Sequence, residues 1–211
     1  LSKNNYIINP DGTVIKHIPD PPQISSGITK HITRHTVAHL KNAQHSLMAA
    51  VKQDIAFFRK KYDCTRKGFG EFANKHVKIA YEHILGMELS FSKKGMPHIN
   101  GFHIDHMNTV EKSGIVEFSN KVMYKDGFYS AELLFNGKTA KKTATFFPAH
   151  WTNEQVIDAI FEAYDNFIKN GAKPEAIAKN NYILQGNIST GQTIEIICTP
   201  NGNFKTAYPI M

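Results

Sequence analysis

Apolar residues along this chain change their spacing twice, and those changes divide it into parts. From about Thr29 to Tyr62, Val37, Leu40, Leu47, Val51, Ile55 and Phe58 recur at three- and four-residue steps, the spacing of one buried helical face. Phe69 to His83 reads as a further helix, with Phe72, Ile79 and Ala80 on its apolar side and Gly86 closing it. Residues 90–114 break the pattern and read as a long polar loop. After Gly114 the period becomes two. Ile115–Ser119, Lys121–Lys125 and Phe128–Phe135 are expected strands, with hairpin turns at Lys125–Asp126–Gly127 and Asn136–Gly137. Lys142–Phe147 is another strand, stopped by Pro148.

The spacing then returns to helical. Thr152 and Gln155 form a capping box at the start of a helix running to Lys169. Its apolar face is Val156, Ile157, Ile160, Phe161, Tyr164 and Phe167, and Asn170–Gly171 ends it. Tyr182–Gln185, Thr193–Cys198 and Phe204–Tyr208 are the closing strands, with a turn at Pro200–Asn201–Gly202. Ahead of all this, residues 1–27 are loop-like: Asn9–Pro10–Asp11–Gly12 and Pro19–Asp20–Pro21–Pro22 flank a short strand, Thr13–Ile18. The order is N-terminal helices, then antiparallel β-sheets with one long helix, an α+β fold.

Charge narrows the partners. The formal charge is +7 and the pI about 9.3 over 211 residues, so an anionic partner is expected: nucleic acid, an acidic protein or a membrane surface. No apolar run approaches the roughly 20 residues of a membrane span, so no spanning segment is expected; of the three anionic partners, a membrane is the one not expected. Leu1–Ser2–Lys3–Asn4–Asn5 has neither an initiator Met nor a signal-peptide pattern, and the chain reads as part of a longer polypeptide. The two cysteines, Cys64 and Cys198, have no zinc-site spacing and are expected to be free.

The candidate chemistry centres on two histidines twenty positions apart. His83 lies three residues before Gly86, and His103 two residues after Gly101. Glycine lets a backbone or a substrate approach closely. Two imidazoles that titrate near neutrality can divide proton work, one taking and one giving. RNA cleavage without a metal needs such a pair: the ribose 2′-OH loses a proton as it attacks phosphorus, and the 5′-oxygen gains one as it leaves. A lysine must hold the charge that builds on phosphate, and Lys138, Lys141 and Lys142 lead into the strand before Pro148. Thr206 and Tyr208 share one face of the last strand, a hydroxyl beside a ring that suits an unstacked base.

Other groupings compete. His31, His35 and His39 share a helical face, and His103–Ile104–Asp105–His106 has the right donor types for a metal-dependent nuclease. Arg59, Lys60, Lys61, Arg66 and Lys67 form a basic knot that suits either phosphate or a helix C-terminus. A non-catalytic RNA- or protein-binding module would use the same basic face.

Four segments in order carry a family resemblance: His83–Ile84–Leu85–Gly86, Gly101–Phe102–His103, Thr143–Ala144–Thr145–Phe146–Phe147–Pro148–Ala149–His150–Trp151, and Thr206–Ala207–Tyr208–Pro209. They resemble the motifs of bacterial EndoU-type nucleases, toxin domains at the C-termini of large secreted polymorphic-toxin proteins. The resemblance covers roughly Phe69 to Met211. It implies residues 1–65 as an N-terminal linker and helical segment and 66–211 as the nuclease domain, with a barnase/EndoU/colicin/RelE-like body. It further implies a His-His-Lys endoribonuclease that cuts single-stranded RNA or tRNA loops and leaves a 2′,3′-cyclic phosphate. His83 carries over as the acid, His103 as the base, and Lys142 as the lysine, with Lys141 next; His106 is a rival for His103. Thr206 and Tyr208 match the substrate-recognition pair, and Thr145 is expected to donate a hydrogen bond nearby. No cofactor is required on this reading, with Mn²⁺ at most a stimulant. The implied partners are RNA and a cognate acidic immunity protein, with delivery from a bacterial cell and action in the target-cell cytoplasm.

Overall fold

The computed structural model describes residues 5–8, 14–18, 51–70, 73–199 and 201–211. The chain forms two compact units, Leu1–Lys41 and Asn42–Met211. In the first, β1 (Asn5–Ile8) pairs antiparallel with β2 (Val14–Ile18). β2 is the strand expected at Thr13–Ile18; β1 is an addition. The turns expected at Asn9–Gly12 and Pro19–Pro22, the helical stretch Thr29–Ala50 and His31, His35 and His39 lie outside the described residues.

The described residues of the second unit form three antiparallel sheets, of four, three and two strands, and the helices against them. α1, helical residues 51–62, was assigned from sequence to the N-terminal segment; here Val51, Ile55, Phe58 and Tyr62 enter the main core. The Tyr62 ring stacks on Phe161 at 5.2 Å, and its hydroxyl donates to Asp158. Both partners belong to α4 (Asn153–Lys169). α4 starts at a full capping box: Thr152 Oγ1 accepts from Gln155 N, and Gln155 Oε1 accepts from Thr152 N. All six of its expected core residues are buried.

α4 rests on a four-stranded sheet of order β11 (Phe204–Ile210), β10 (Thr193–Cys198), β9 (Asn181–Asn187) and β8 (Glu175–Ile177). Leu184, Ile194, Ile196, Cys198 and Ala207 form the sheet's buried face, with β10 alternating strictly between inward and outward positions. Burial of about 25 cal/mol per Å² of apolar surface makes this helix–sheet layer the main source of stability. Cys198 is buried and Cys64 exposed, and both are free.

The second sheet has order β5 (Glu117–Met123), β6 (Tyr129–Phe135), β7 (Lys138–Phe146). Asn136 and Gly137, with φ of 50° and 68°, make the two-residue turn between β6 and β7, the mirror-image turn that Asn-Gly favours. An aromatic cluster lies beneath: Tyr129 stacks on Phe146 at 4.6 Å, and Phe102 meets Phe146 edge-on at 5.4 Å. Phe147, one position further, turns the other way into the main core beside Phe128 and Trp151. Consecutive phenylalanines thus pin the end of β7 to two cores at once.

Three expectations need correction. Among the described residues of Phe69–His83, α-helix begins only at α2 (Tyr81–Leu85). Gly70 takes a left-handed φ of 57°, Val77 and Ile79 are buried at period two, and β11 claims the backbone beyond them: Phe204 N donates to Lys78 O and Ala80 N to Phe204 O. Residues 90–114 are not a loop. They hold the end of a hairpin, β3 (Met87–Phe91) with β4 (Pro97–Gly101), then a short turn of helix and α3 (Thr109–Ser113). Pro97, Ile99 and Gly101 are buried while His98 and Asn100 are exposed, an alternation concealed by polar residues. Ile115–Ser119 and Lys121–Lys125 are one strand, β5, whose register shifts between Ser119 and Val122. β8 was not expected at all.

Where α4 crosses β9 the backbones nearly touch. A Cβ at Gly186 would lie 1.9 Å from Ala163 O, so only glycine fits. Gly186→Ala is expected to push α4 off the sheet and cost roughly 1–3 kcal/mol or more, read as a lower urea midpoint with an unchanged slope.

Candidate active site

His83 sits on α2. Tyr81, Ile84 and Leu85 face the core, which turns position 83 away from it, and its imidazole makes no hydrogen bond among the described residues. Gly86 accepts the end of α2 in extended conformation, φ −101° and ψ 172°, not the left-handed form common at helix ends. The chain returns through β4 and passes beneath α2. Phe102 N donates to Gly86 O at 2.8 Å and His103 N to Ile84 O at 3.5 Å. A Cβ at Gly101 would fall 2.0 Å from His83 O, and Gly101 has φ +64°. Phe102 also holds a left-handed φ of 64°, an uncommon state for a bulky residue; its fully buried ring fixes it there.

The end of β7 clamps His103. Phe147 N donates to His103 O at 2.9 Å, and His103 Nδ1 lies 3.1 Å from Thr145 O. A carbonyl can only accept, so Nδ1 carries the proton and Nε2 keeps its lone pair. That lone pair faces Thr206 Oγ1 at 3.4 Å. The Tyr208 ring stacks on the imidazole, centroids 5.2 Å apart and planes inclined by 26°.

His83, His103, Lys141, Thr145, Thr206 and Tyr208 line one cleft of about 420 Å³, with Ile99, Asn100, Gly101 and Thr143 completing it. No carboxylate is among these residues. Lys141 Nζ donates to Gly101 O at 2.9 Å. Lys142 is exposed and does not line the cleft. Strand parity puts 141, 143 and 145 on one side of β7, and the register shift between Ala131 and Leu133, opposite Ala144 and Lys141, throws Lys142 outward. The lysine that the cleft receives is therefore Lys141, and Lys138 is exposed at the strand's start.

Burial governs the electrostatics. It pushes His103 down to about 3, and the Lys141 ammonium adds to that while the Thr145 carbonyl opposes it. His83 is lowered by burial first and by Lys141 second, against a small opposing pull from Glu88. Lys141 itself falls to about 8 through burial. At neutral pH the empty cleft holds neutral imidazoles beside one charged lysine.

The rival groupings disperse. His106 has its Nδ1 2.9 Å from Trp151 O and its Nε2 2.5 Å from Asn153 Oδ1. The buried Asp105 carboxylate accepts from Val110 N and Glu111 N. His103, Asp105 and His106 thus serve three different neighbourhoods, and the described residues contain no group of three or more His, Cys, Asp or Glu that could hold a metal. His98 is exposed on β4. The basic knot is largely paired, Arg59 with Glu82, Lys61 with Glu154 and Arg66 with Asp165. Sequence reading passed over Asn100 and Thr143. The parity of Thr143 with Thr145, and of Asn100 between two core positions, was the available signal.

Fold and site define an α+β protein with a cationic, carboxylate-free cleft able to move protons beside a bound anion. A family model described as bacterial EndoU nuclease matches residues 80–211, a span that opens at α2 and contains every residue lining the cleft. The chain belongs to the bacterial EndoU nuclease family and is accordingly a nuclease, which removes the non-catalytic module. No curated protein and no solved structure matches the chain.

Protonating His103 requires undoing its burial. The unfolded imidazole titrates near 6.5 and the folded one near 3. Between those values the unfolded chain binds the extra proton, so stability is lost as pH falls through that window. The urea midpoint is expected to drop on acidification below about pH 6.5, and His103→Gln to flatten that part of the profile.

Proposed function

We propose that this nuclease is a metal-independent endoribonuclease cutting single-stranded RNA or tRNA loops by 2′-OH transesterification. The observation that carries the reading is the convergence of His83, His103 and Lys141 on one cleft without a carboxylate. Anionic phosphate is the natural occupant of such a space, since it meets an unpaired ammonium and no repelling charge.

The protonation states suggest the division of labour. His103, neutral with an unprotonated Nε2 beside Thr206 Oγ1, is the base that takes the 2′-OH proton. The freed 2′-oxygen attacks phosphorus, and Lys141 balances the charge that grows on the non-bridging oxygens. His83, with no hydrogen bond to its imidazole among the described residues, delivers a proton to the departing 5′-oxygen. A phosphodiester in the cleft offsets the repulsion between Lys141 and His83, which favours the charged imidazole an acid needs. The products are a 2′,3′-cyclic phosphate and a 5′-hydroxyl. Thr206, Tyr208 and Thr145 form the wall against which the nucleotide is held, with Asn100 and Thr143 at the open rim.

On the same reading the domain is the toxic end of a larger protein delivered from a bacterial cell and active in the target cytoplasm. Its antagonist is an acidic immunity protein that fills the cleft with carboxylates. Manganese acts, if at all, as a stimulant.

Digestion of labelled RNA in excess chelator tests the reaction. The expected ends are 2′,3′-cyclic phosphate and 5′-OH; 3′-OH with 5′-phosphate ends, or complete loss of cutting in chelator, would reject it. Lys141→Ala is expected to lower kcat/KM by about 10²-fold or more, and Lys142→Ala to leave it near wild type. Because Lys141 titrates near 8, kcat/KM should decline above that pH as the ammonium is lost, and Lys141→Arg should move the decline upward.

A further inference from the structure

Behind the cleft wall, three polar side chains form a row across three strands. Register pairs Gln185 of β9 with Glu195 of β10, and Glu195 with Tyr208 of β11. Gln185 Nε2 donates to Glu195 Oε2 at 2.8 Å, and Tyr208 OH donates to Glu195 Oε1 at 2.5 Å. Glu195 is half-buried and does not line the cleft. Its carboxylate has no lysine or arginine within ion-pairing distance among the described residues. A carboxylate in that position is retained against its desolvation cost by the hydrogen bonds it accepts.

The row ends on the imidazole of His103. One face of the Tyr208 ring lies against that imidazole, and the phenol oxygen is fixed at the far side by Glu195. A ring held at both its Cβ and its hydroxyl cannot swing, so the surface facing His103 is rigid. His103 is otherwise held only at the edge of its ring, by Thr145 O at Nδ1 and Thr206 Oγ1 at Nε2. The Tyr208 ring is what packs against its face.

We infer that Glu195 is a positioning residue: by anchoring the Tyr208 hydroxyl it sets the plane of the His103 imidazole and aims Nε2 at the substrate's 2′-OH. This rests on the endoribonuclease reading for its kinetic consequence, though not for its structural one. It also assigns the Tyr208 hydroxyl to the protein, leaving the ring and not the phenol oxygen for contact with RNA.

Tyr208→Phe keeps the ring and removes the anchor; Glu195→Ala removes the other half; Glu195→Gln keeps an acceptor. The expected result is a fall of about tenfold in kcat for Tyr208→Phe and for Glu195→Ala, with KM little changed. The double variant should be no worse than either single one, because both remove one interaction, and Glu195→Gln should recover most of the rate. Independently of activity, the His103 ring-proton NMR shifts, which report the stacked Tyr208 ring, should move in Tyr208→Phe and Glu195→Ala alike and stay in Glu195→Gln. Additive losses in the double variant, or unmoved His103 shifts in the single ones, would overturn the inference. If the wild type does not cut RNA, the proposed function fails while the NMR comparison still decides the role of Glu195.

Discussion

The contact of Gly101 with the backbone of His83 is the constraint on which the site depends. Because Gly101 lacks a side chain, β4 can run against the His83 carbonyl and turn at once through two left-handed residues, Gly101 and Phe102. That turn delivers His103 beneath α2, where Ile84 O and Gly86 O receive its backbone and that of Phe102. Gly101 O, on the same residue, receives the Lys141 ammonium. One small residue therefore sets the relative positions of both imidazoles and the lysine. The strain of Phe102 in a left-handed state is of the kind that persists only where surrounding packing over-determines it, and here that packing is the aromatic cluster with Phe118 and Phe146.

The cleft gathers positive charge without compensating it. Each of its three basic groups is displaced in the direction that removes positive charge. Only Glu88 opposes this, at His83, and no cleft residue is ion-paired among the described residues, whereas elsewhere on the surface Arg59, Lys61 and Arg66 each meet a carboxylate. Those exposed pairs contribute little stability individually, about 0–1 kcal/mol. Their consequence is for charge distribution, since they neutralise the α1 side and leave Lys141 as an unpaired ammonium in the cleft. The stability that supports this imbalance resides in the layer between α4 and its sheet, on the side of β11 opposite to Thr206 and Tyr208.

Much of this was readable in the chain. The capping box at Thr152, the apolar face of α4, the Asn136–Gly137 turn and the outward pairing of Thr206 with Tyr208 are local patterns, and local patterns survive folding. The short-range signals failed where a distant strand decided the outcome. Ile79 fits a helical face with Phe72 and Ala80 as well as a strand face with Val77, and β11 pairing chose the second. The hairpin at Met87–Gly101 was hidden because half its residues are polar and face solvent or the cleft. Lys142 looked nearest to the Phe-Phe-Pro segment, but a register shift against β6 turned it outward and gave the cleft to Lys141.

The sequence by itself determined the α+β order, the family, the two histidines and the threonine–tyrosine pair, because motif spacing and hydrophobic period are properties of neighbouring residues. Only the tertiary structure decided which lysine joins them, that Asp105 and His106 make their hydrogen bonds in separate places, and that Glu195 stands behind Tyr208. Each of those depends on which side of a strand faces which partner across the sheet, a relation set by register and close backbone approach between segments as much as a hundred residues apart.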